Sequence, residues 1–384
     1  MRIGILTFHS QLNYGGVLQC WALAEALRRM GHEPVVLDRW LSPARIELDG
    51  PLGGNASVLG WLKIAVRSLL GSHELSVVRR RLRTKRFLKD RLTLSSYHFL
   101  TWKDAPPELG IDRIVVGSDQ VWNVYDAELN GVYLLKDAPP VPASAYAVSF
   151  GTRSIPERLC RCYAEQLPRF SNVGVREREG VKLVEMLGGS ARHVVDPTLL
   201  LDRTDWKPSA GRRGRMRLVC YFLSEDAEAM AAKIVPWAKA RGMDVDVLSQ
   251  MKGVIPLKDC LKSFIRHPLG TAASAAIRYS FGPEEFLEAF RTAELCITDS
   301  FHALMFSCIF GLNCRFLRPR SEVRQAMFSR IEEFAAECTR GPLVVEDVDT
   351  ALASLAAGER TEYEWAKIDS HRRESLAFLA EAVR

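Results

Sequence analysis

Glu294-Leu295-Cys296-Ile297-Thr298-Asp299-Ser300-Phe301-His302-Ala303-Leu304-Met305-Phe306-Ser307-Cys308-Ile309-Phe310-Gly311 is the stretch whose reading decides the fold. Residues 294–298 form a short apolar run of strand length, and residues 304–310 read as a buried helix stopped by Gly311. Asp299, Ser300 and His302 therefore fall where a strand hands over to a helix. In open α/β sheets that junction, outside the carboxyl ends of the strands, is where ligands bind. A histidine there can move a proton near neutral pH, and the helix start offers free N–H groups to an anion. The plainer reading is a capping Asp or Ser beside a histidine that only packs.

The same alternation runs outward in both directions, which implies parallel sheets. Strand patterns are expected over 2–8, 35–37, 113–117, 145–150, 172–175 and 193–195. Helix patterns are expected over 15–30, about 56–90, 156–167 and 178–187. A polar, glycine-bearing linker at 207–215 precedes a second alternation. It comprises strands 218–223, 244–248, 295–298 and 314–317, with helices 226–241, 283–292 and 301–310. A long amphipathic helix over 362–384 ends the chain. The pattern predicts two Rossmann-type α/β domains with a ligand cleft between them.

Composition excludes several classes. At 384 residues, 47% hydrophobic and 26% charged, the chain has ordinary globular usage. No apolar stretch reaches the roughly 18 residues of a membrane span; the longest, over 61–70, is interrupted by Lys63 and Arg67. The N-terminus opens on a strand pattern rather than a charged-then-apolar leader, so a cytoplasmic location is expected. Nine cysteines lie mostly in apolar runs, and Cys160 and Cys162 form a lone pair without zinc spacing; no metal and no disulfide framework are expected. Net charge is +6, with 39 arginines to 13 lysines, but without the basic face and interleaved aromatics of a nucleic-acid binder. The one dense basic run, 79–86, reads as a solvated helix face or as a surface meeting an anionic membrane or polymer.

Three further segments sit at strand ends. In His9-Ser10-Gln11-Leu12-Asn13-Tyr14-Gly15-Gly16, the paired glycines allow close backbone approach to a ligand at a helix start; the alternative is a tight packing turn. In Gly117-Ser118-Asp119-Gln120-Val121-Trp122-Asn123, Asp119 is placed to accept a proton from a hydroxyl. Ser118, Gln120 and Asn123 are placed to hydrogen-bond a sugar, and Trp122 to stack on it; the alternative is a capping Asp and a core tryptophan. In Val175-Arg176-Glu177-Arg178, Arg176 reads as a carboxylate or phosphate clamp and Arg178 as a surface partner for glutamate.

Asn13-Tyr14-Gly15-Gly16-Val17-Leu18-Gln19, Val116–Asn123, Val175-Arg176-Glu177, Val195-Asp196-Pro197-Thr198-Leu199-Leu200 and Thr298-Asp299-Ser300-Phe301-His302 together resemble the polysaccharide pyruvyl transferase family. Their order and spacing fit over nearly the whole chain. The resemblance implies a GT-B-like fold of two facing Rossmann-type domains: residues 1–205 on the acceptor side, 216–358 on the donor side, and a helix over 359–384 packing back to close the pair. It implies transfer of a pyruvyl group from phosphoenolpyruvate to sugar hydroxyls of a surface polysaccharide or its precursor, forming a ketal, with no cofactor and no metal. His302 takes the position of the residue that protonates the donor's methylene carbon; an ionised acid is then needed at the acceptor hydroxyl, which suits Asp119 in its polar loop. Asn13, Gly15, Gly16, Ser118, Gln120, Trp122, Asn123, Arg176, Asp299 and Ser300 are expected to bind substrate. The family often carries arginine two residues before the histidine; Ser300 stands there in this chain. Arg315, Arg318, Arg320 and Arg330 are the candidates to supply that charge, and Arg330 is assigned to it. The basic run and Trp61 are read as a surface for a lipid-linked glycan, with peripheral contact at the inner face of the membrane. Two rivals share the pattern: a GT-B glycosyltransferase using a nucleotide sugar, and a non-catalytic subunit of polysaccharide assembly.

Overall fold

The computed structural model describes residues 1–40, 74–124, 131–206, 214–223, 227–249 and 276–384. The apolar stretch 61–70, Trp61, the start of the basic helical segment and most of the 207–215 linker lie outside the described residues. Strands β1 (Arg2–Leu6), β2 (Glu33–Arg39), β3 (Leu94–Phe99), β4 (Arg113–Val116), β5 (Ala143–Val148), β6 (Phe170–Val175) and β7 (Arg192–His193) form one parallel sheet in the order 3-2-1-4-5-6-7. Strands β8 (Arg217–Phe222), β9 (Asp244–Ser249), β10 (Leu295–Thr298), β11 (Asn313–Leu317) and β13 (Val344–Val345) form a second parallel sheet in the order 13-11-10-8-9. The remaining pair, β12 (Thr339–Arg340) and β14 (Glu362–Tyr363), is antiparallel.

The helices among the described residues are α1 (Tyr14–Arg29), α2 (Glu74–Arg91), α3 (Glu157–Gln166), α4 (Arg178–Met186), α5 (Ala227–Lys239), α6 (Pro283–Thr292), α7 (Phe301–Phe310), α8 (Glu322–Ala326), α9 (Ser329–Cys338), α10 (Val348–Ala356) and α11 (Trp365–Ala382). None of them is long and apolar enough to cross a membrane. Both sheets are covered by helices, so their central strands are buried on both faces and read as continuous apolar runs. Every residue of β5 is buried, as is every residue of α7. Gly311 ends α7 in the left-handed region at φ +68°, a stop that glycine adopts without steric penalty. The architecture is two Rossmann-type α/β domains facing one another, the GT-B-like arrangement expected above.

An aromatic seam joins the halves. Tyr14 of α1 stacks on Phe286 of α6 at 4.6 Å between ring centroids and meets Tyr221 of β8 at 5.4 Å. Trp206 packs edge-on against both Trp21 of α1, at 4.8 Å, and Phe306 of α7, at 4.9 Å. These rings belong to one continuous hydrophobic cluster drawn from both sheets. Helix α11 then returns to the first sheet. Its Ser375 Oγ accepts from the Val195 amide at 3.0 Å, and its Phe378 ring fills the space that a Cβ on Gly174 would enter.

The basic run lies on α2, and part of it serves the protein's interior. Arg80 is buried, with its guanidinium 4.2 Å from the Tyr14 ring centroid. It donates to the Leu12 carbonyl at 2.5 Å in the first half and to the Ser249 carbonyl at 3.2 Å in the second. Arg83 pairs with Glu285 and Arg91 with Glu284, both on α6. One edge of this helix therefore bridges the two domains, which the charge run alone did not reveal.

Charged hydrogen bonds contribute about 1.5–3 kcal/mol each. Arg80→Met is expected to lower stability by on the order of 2–3 kcal/mol. Arg86→Met, on a side chain that is 84% exposed, is expected to change it by less than about 0.5 kcal/mol. Thermal unfolding of the two variants checks the contrast, and equal melting temperatures would refute the bridging role.

Candidate functional site

The carboxyl ends of both sheets face the same cleft, of about 270 Å³. From the first half, the β1–α1 connection supplies Phe8, Gln11 and Asn13, and the turn after β4 supplies Asp119 and Gln120. From the second half, the β10–α7 junction supplies Asp299, Ser300, Phe301 and His302, while α8 and α9 supply Arg324 and Arg330.

Asn13 caps α1: its Oδ1 accepts from the Gly15 amide at 3.0 Å. The helix can therefore begin at the cleft wall, with Gly15 facing His302 across the domain boundary. A Cβ built on Gly15 would lie 2.1 Å from His302 Nδ1, so only glycine admits the imidazole there. Behind His302 stands Asp196, just past β7. Its Oδ2 lies 3.6 Å from His302 Nε2, within ion-pair reach but longer than a hydrogen bond. That Nε2 is buried without a hydrogen-bond partner among the described residues. A gap of this size between catalytic groups commonly tightens when ligand binds.

Asp196 also anchors Arg176. The Arg176 guanidinium donates to Asp196 Oδ2 at 2.9 Å and to Asp119 Oδ1 at 3.4 Å, and its Nε lies 3.6 Å from Glu177 Oε1. Burial, the largest influence, opposes the charge on Arg176, but the three carboxylates outweigh it and its pKa is raised. Burial likewise pushes Asp196 upward. His302, Arg176 and the Thr198 amide outweigh that push and hold Asp196 well below the usual carboxylate range. Asp196 Oδ1 also accepts from the Thr198 amide and hydroxyl at 3.0 and 2.8 Å.

Phe301 ties the two halves of this network together. The Arg176 and Arg330 guanidiniums lie 4.7 and 4.8 Å from its ring centroid. Arg330 also reaches Glu177 Oε1 at 3.5 Å. Burial, then repulsion from Arg176, lowers the Arg330 pKa to about 10, so it remains charged at neutral pH. Its Nε is buried without a hydrogen-bond partner among the described residues. Toward the outer cleft, Asp299 accepts from the Leu223 amide at 2.6 Å and from Arg324 at 2.8 Å. Ser300 occupies the N-cap position of α7, where its side chain makes no capping bond.

The sequence-derived candidates divide into three groups. His302, Asp119, Asn13, Gln120, Asp299, Ser300 and Arg330 line the cleft, and Gly15 abuts His302. A Cβ on Gly16 would make only ordinary van der Waals contact, 3.4 Å from the Phe8 carbonyl oxygen and 3.9 Å from Asp119, so the close-approach reading holds for Gly15 and not for Gly16. The second group lies beneath the cleft. Arg176 is buried and held by three carboxylates, so it frames the site instead of presenting an open clamp. Ser118 is wholly buried, its amide donating to Gln19 Oε1 and its carbonyl accepting from Thr7.

Trp122 and Asn123 form the third group. Trp122 is fully buried, packs edge-on against Phe150 and Phe170, and donates Nε1–H to the Tyr133 carbonyl; it is a core residue and cannot stack on a sugar. Asn123 does not line the cleft itself; its side-chain amide donates to Oε1 of Gln120, which does. Among the alternative cations, Arg315 is tied up by Asn313, Ser354, Thr361 and the Glu359 carbonyl on the far side of the second sheet's core. Arg318 and Arg320 line an adjoining cavity instead. Residue-by-residue reading passed over Phe301 and Arg324. Phe301 stands beside the histidine in an informative motif, whereas Arg324 lies on a five-residue helix without any local signal.

Two Rossmann-type domains enclosing a polar cleft at the carboxyl ends of both sheets define a GT-B-type protein. The chain belongs to the polysaccharide pyruvyl transferase family, whose model matches residues 13–321. No curated protein matches it in sequence. Similar solved structures include the UDP-GlcNAc 2-epimerase of Neisseria meningitidis bound to UDP-GlcNAc, at 9% identity over 100% of this chain and 99% of that one, with a TM-score of 0.48. Others are MurG of Acinetobacter baumannii, at 12% identity over 99% and 94% with a TM-score of 0.41, and a Streptomyces sp. SF2575 glycosyltransferase, at 12% over 99% and 96% with a TM-score of 0.37.

Asp196 has a folded pKa below the roughly 4 of an unfolded aspartate. Its stabilising contribution is therefore present above about pH 4 and is lost as pH falls toward the folded value. Asp196→Asn is expected to cost on the order of 3–5 kcal/mol at pH 7. The gap to the wild type should narrow below about pH 4. Urea unfolding across that range tests it, and a gap independent of pH would contradict the ionised-hub assignment.

Proposed function

We propose that this protein transfers a pyruvyl group from phosphoenolpyruvate to two hydroxyls of a sugar, forming a cyclic ketal and releasing phosphate. Beyond membership of the family, the reading is carried by one observation: a histidine held across the domain boundary between Gly15 and Asp196, at the wall of a cleft also lined by Arg324 and Arg330.

In this scheme His302, as imidazolium, gives its proton to the methylene carbon of the donor. The carbon–carbon double bond supplies the electrons, and C2 becomes electrophilic. A sugar hydroxyl adds to C2 and its proton goes to Asp119. The carbon–oxygen bond to phosphate then breaks, and the second hydroxyl adds to the same carbon. Of the two protons shed by the hydroxyls, one restores His302 and the other leaves with phosphate, so the balance closes as donor plus diol to ketal plus inorganic phosphate. A positioned general acid contributes about 10²–10⁴-fold. The donor's phosphate and carboxylate need cations or helix N–H groups. Arg330, Arg324 and the first amides of α7 are the groups suited to them, since Arg176 is already satisfied.

The experiment is calorimetric titration with phosphoenolpyruvate, followed by an assay of phosphate release over a panel of free and nucleotide-linked hexoses. Phosphoenolpyruvate is expected to bind, and Arg330→Ala to weaken binding at least about tenfold, the loss of one charge-assisted contact. The exposed Arg178→Ala should leave affinity unchanged. His302→Gln should keep donor affinity and lower phosphate release by about 10²–10⁴-fold. Gly15→Ala, by displacing the imidazole, should lower turnover by about 10²-fold with the fold intact. Absence of phosphoenolpyruvate binding to the wild type would refute the proposal.

A further inference from the structure

A second cavity, of about 560 Å³, opens over the carboxyl edge of the second sheet. It is continuous with the cleft: Leu223, Asp299, Pro319 and Arg324 line both. Apart from Arg324, which lines both spaces, the pyruvyl-transfer scheme uses none of its lining. Its place follows from topology. In the order 13-11-10-8-9, β9 lies on one side of β8 and β10 on the other. The connections therefore diverge between β8 and β10, and a crevice opens outside their carboxyl ends. Leu223 follows β8 and Asp299 follows β10, so the cavity begins at that switch point, where open α/β sheets bind ligands. Its volume falls within the roughly 300–1,000 Å³ of sites for small organic ligands.

The lining is mixed in character. Arg318, Arg320 and Arg324 come from a single seven-residue stretch, and Arg324 borders the cleft as well. Arg324 is paired with Asp299, and Arg318 with Glu346 and Glu332. Arg320 is exposed and has no side-chain hydrogen bond or ion pair among the described residues. Lys233, Glu346, Asp347 and Asp349 line this cavity and not the cleft, with Lys233 paired to Asp349, and Met230, Leu317 and Val348 add apolar wall. A molecule bound there meets guanidiniums, carboxylates that can accept from hydroxyls, and apolar surface, in a cavity that opens into the cleft holding His302. A sugar joined through a diphosphate to a nucleoside offers the complementary chemistries: two phosphates, ribose hydroxyls and a base, with the sugar left to enter the cleft.

We propose that the larger cavity binds the nucleoside diphosphate end of a nucleotide sugar and so places the sugar in the cleft beside His302. That the sugar is the acceptor of the pyruvyl group rests on the function proposed above; the binding itself does not. In a reaction sequence, the step before this one must then be synthesis or modification of a nucleotide sugar, and the step after it a glycosyl transfer that consumes the ketal-bearing product.

The test is calorimetric titration of the full chain with UDP, GDP, CDP and dTDP, beside inorganic pyrophosphate and farnesyl diphosphate, for the wild type and Arg320→Glu. Arg320 is exposed and outside the reaction cleft, so its variant is expected to fold and to bind phosphoenolpyruvate as the wild type does. At least one nucleoside diphosphate should bind more tightly than pyrophosphate or farnesyl diphosphate, and Arg320→Glu should weaken it at least about tenfold. The proposal is overturned if no nucleoside diphosphate binds at millimolar concentration, if pyrophosphate or the prenyl diphosphate binds equally well, or if Arg320→Glu leaves the affinity unchanged. Binding of a nucleoside diphosphate without binding of phosphoenolpyruvate would uphold this site while refuting pyruvyl transfer.

Discussion

The packing of Tyr14 against Phe286 and Tyr221, extended through Phe306, Trp206 and Trp21, is the constraint on which the rest depends. Inter-domain contacts are ordinarily polar and permit relative motion, but a large apolar interface does not. Here the seam is one hydrophobic core shared by two sheets. It sets the distance between α1 and α7, and that distance decides whether Gly15 and His302 can touch. Arg80 reinforces the seam from above, closing over the Tyr14 ring while hydrogen-bonding to both halves. Helix α11 packs on β5 and β6 of the first sheet and on α9 of the second half.

Within that frame, a cluster of buried charges assembles across the boundary. Asp119, Glu177 and Asp196 come from the first half, whereas His302 and Arg330 come from the second. A buried charge is strongly disfavoured unless its partner is also present. The cluster is therefore complete only when the halves are docked, and assembly of the fold and of the site are the same event. Arg176 has no counterpart role at the surface. It neutralises three carboxylates and backs the Phe301 ring, and this leaves the outer guanidiniums, Arg324 and Arg330, to face the cleft. Position 300 carries a serine, and the guanidiniums that line the cleft come from α8 and α9.

Much of the fold was legible because its elements are buried on both faces. Apolar runs such as β5 and β10, with glycine stops such as Gly31 and Gly311, mark parallel strands and their helices without any tertiary knowledge. What escaped has weak local patterns. Strand β3 is half exposed at the sheet edge, and β13 is two residues long. Helices α8 and α9 lie beyond the last recognised strand, and they carry Arg324 and Arg330. Trp122 was misread because a tryptophan beside polar residues at a strand end looks the same whether it faces a ligand or the core.

The sequence by itself determined the alternation of strand and helix, the family, and the placing of His302, Asp119 and Asn13 at strand ends. Local hydrogen bonding and side-chain periodicity act over a few residues, so a linear pattern suffices to read them. The tertiary structure alone decided that Gly15 makes room for His302, that Asp196 serves both His302 and Arg176, and that α2 is a bridge between domains. It alone decided that Arg330 and not Arg315 reaches the cleft. Those outcomes depend on distances between groups tens to hundreds of residues apart, and on which charges are withdrawn from water. Both are set by how the two sheets pack, and neither is written in any local segment.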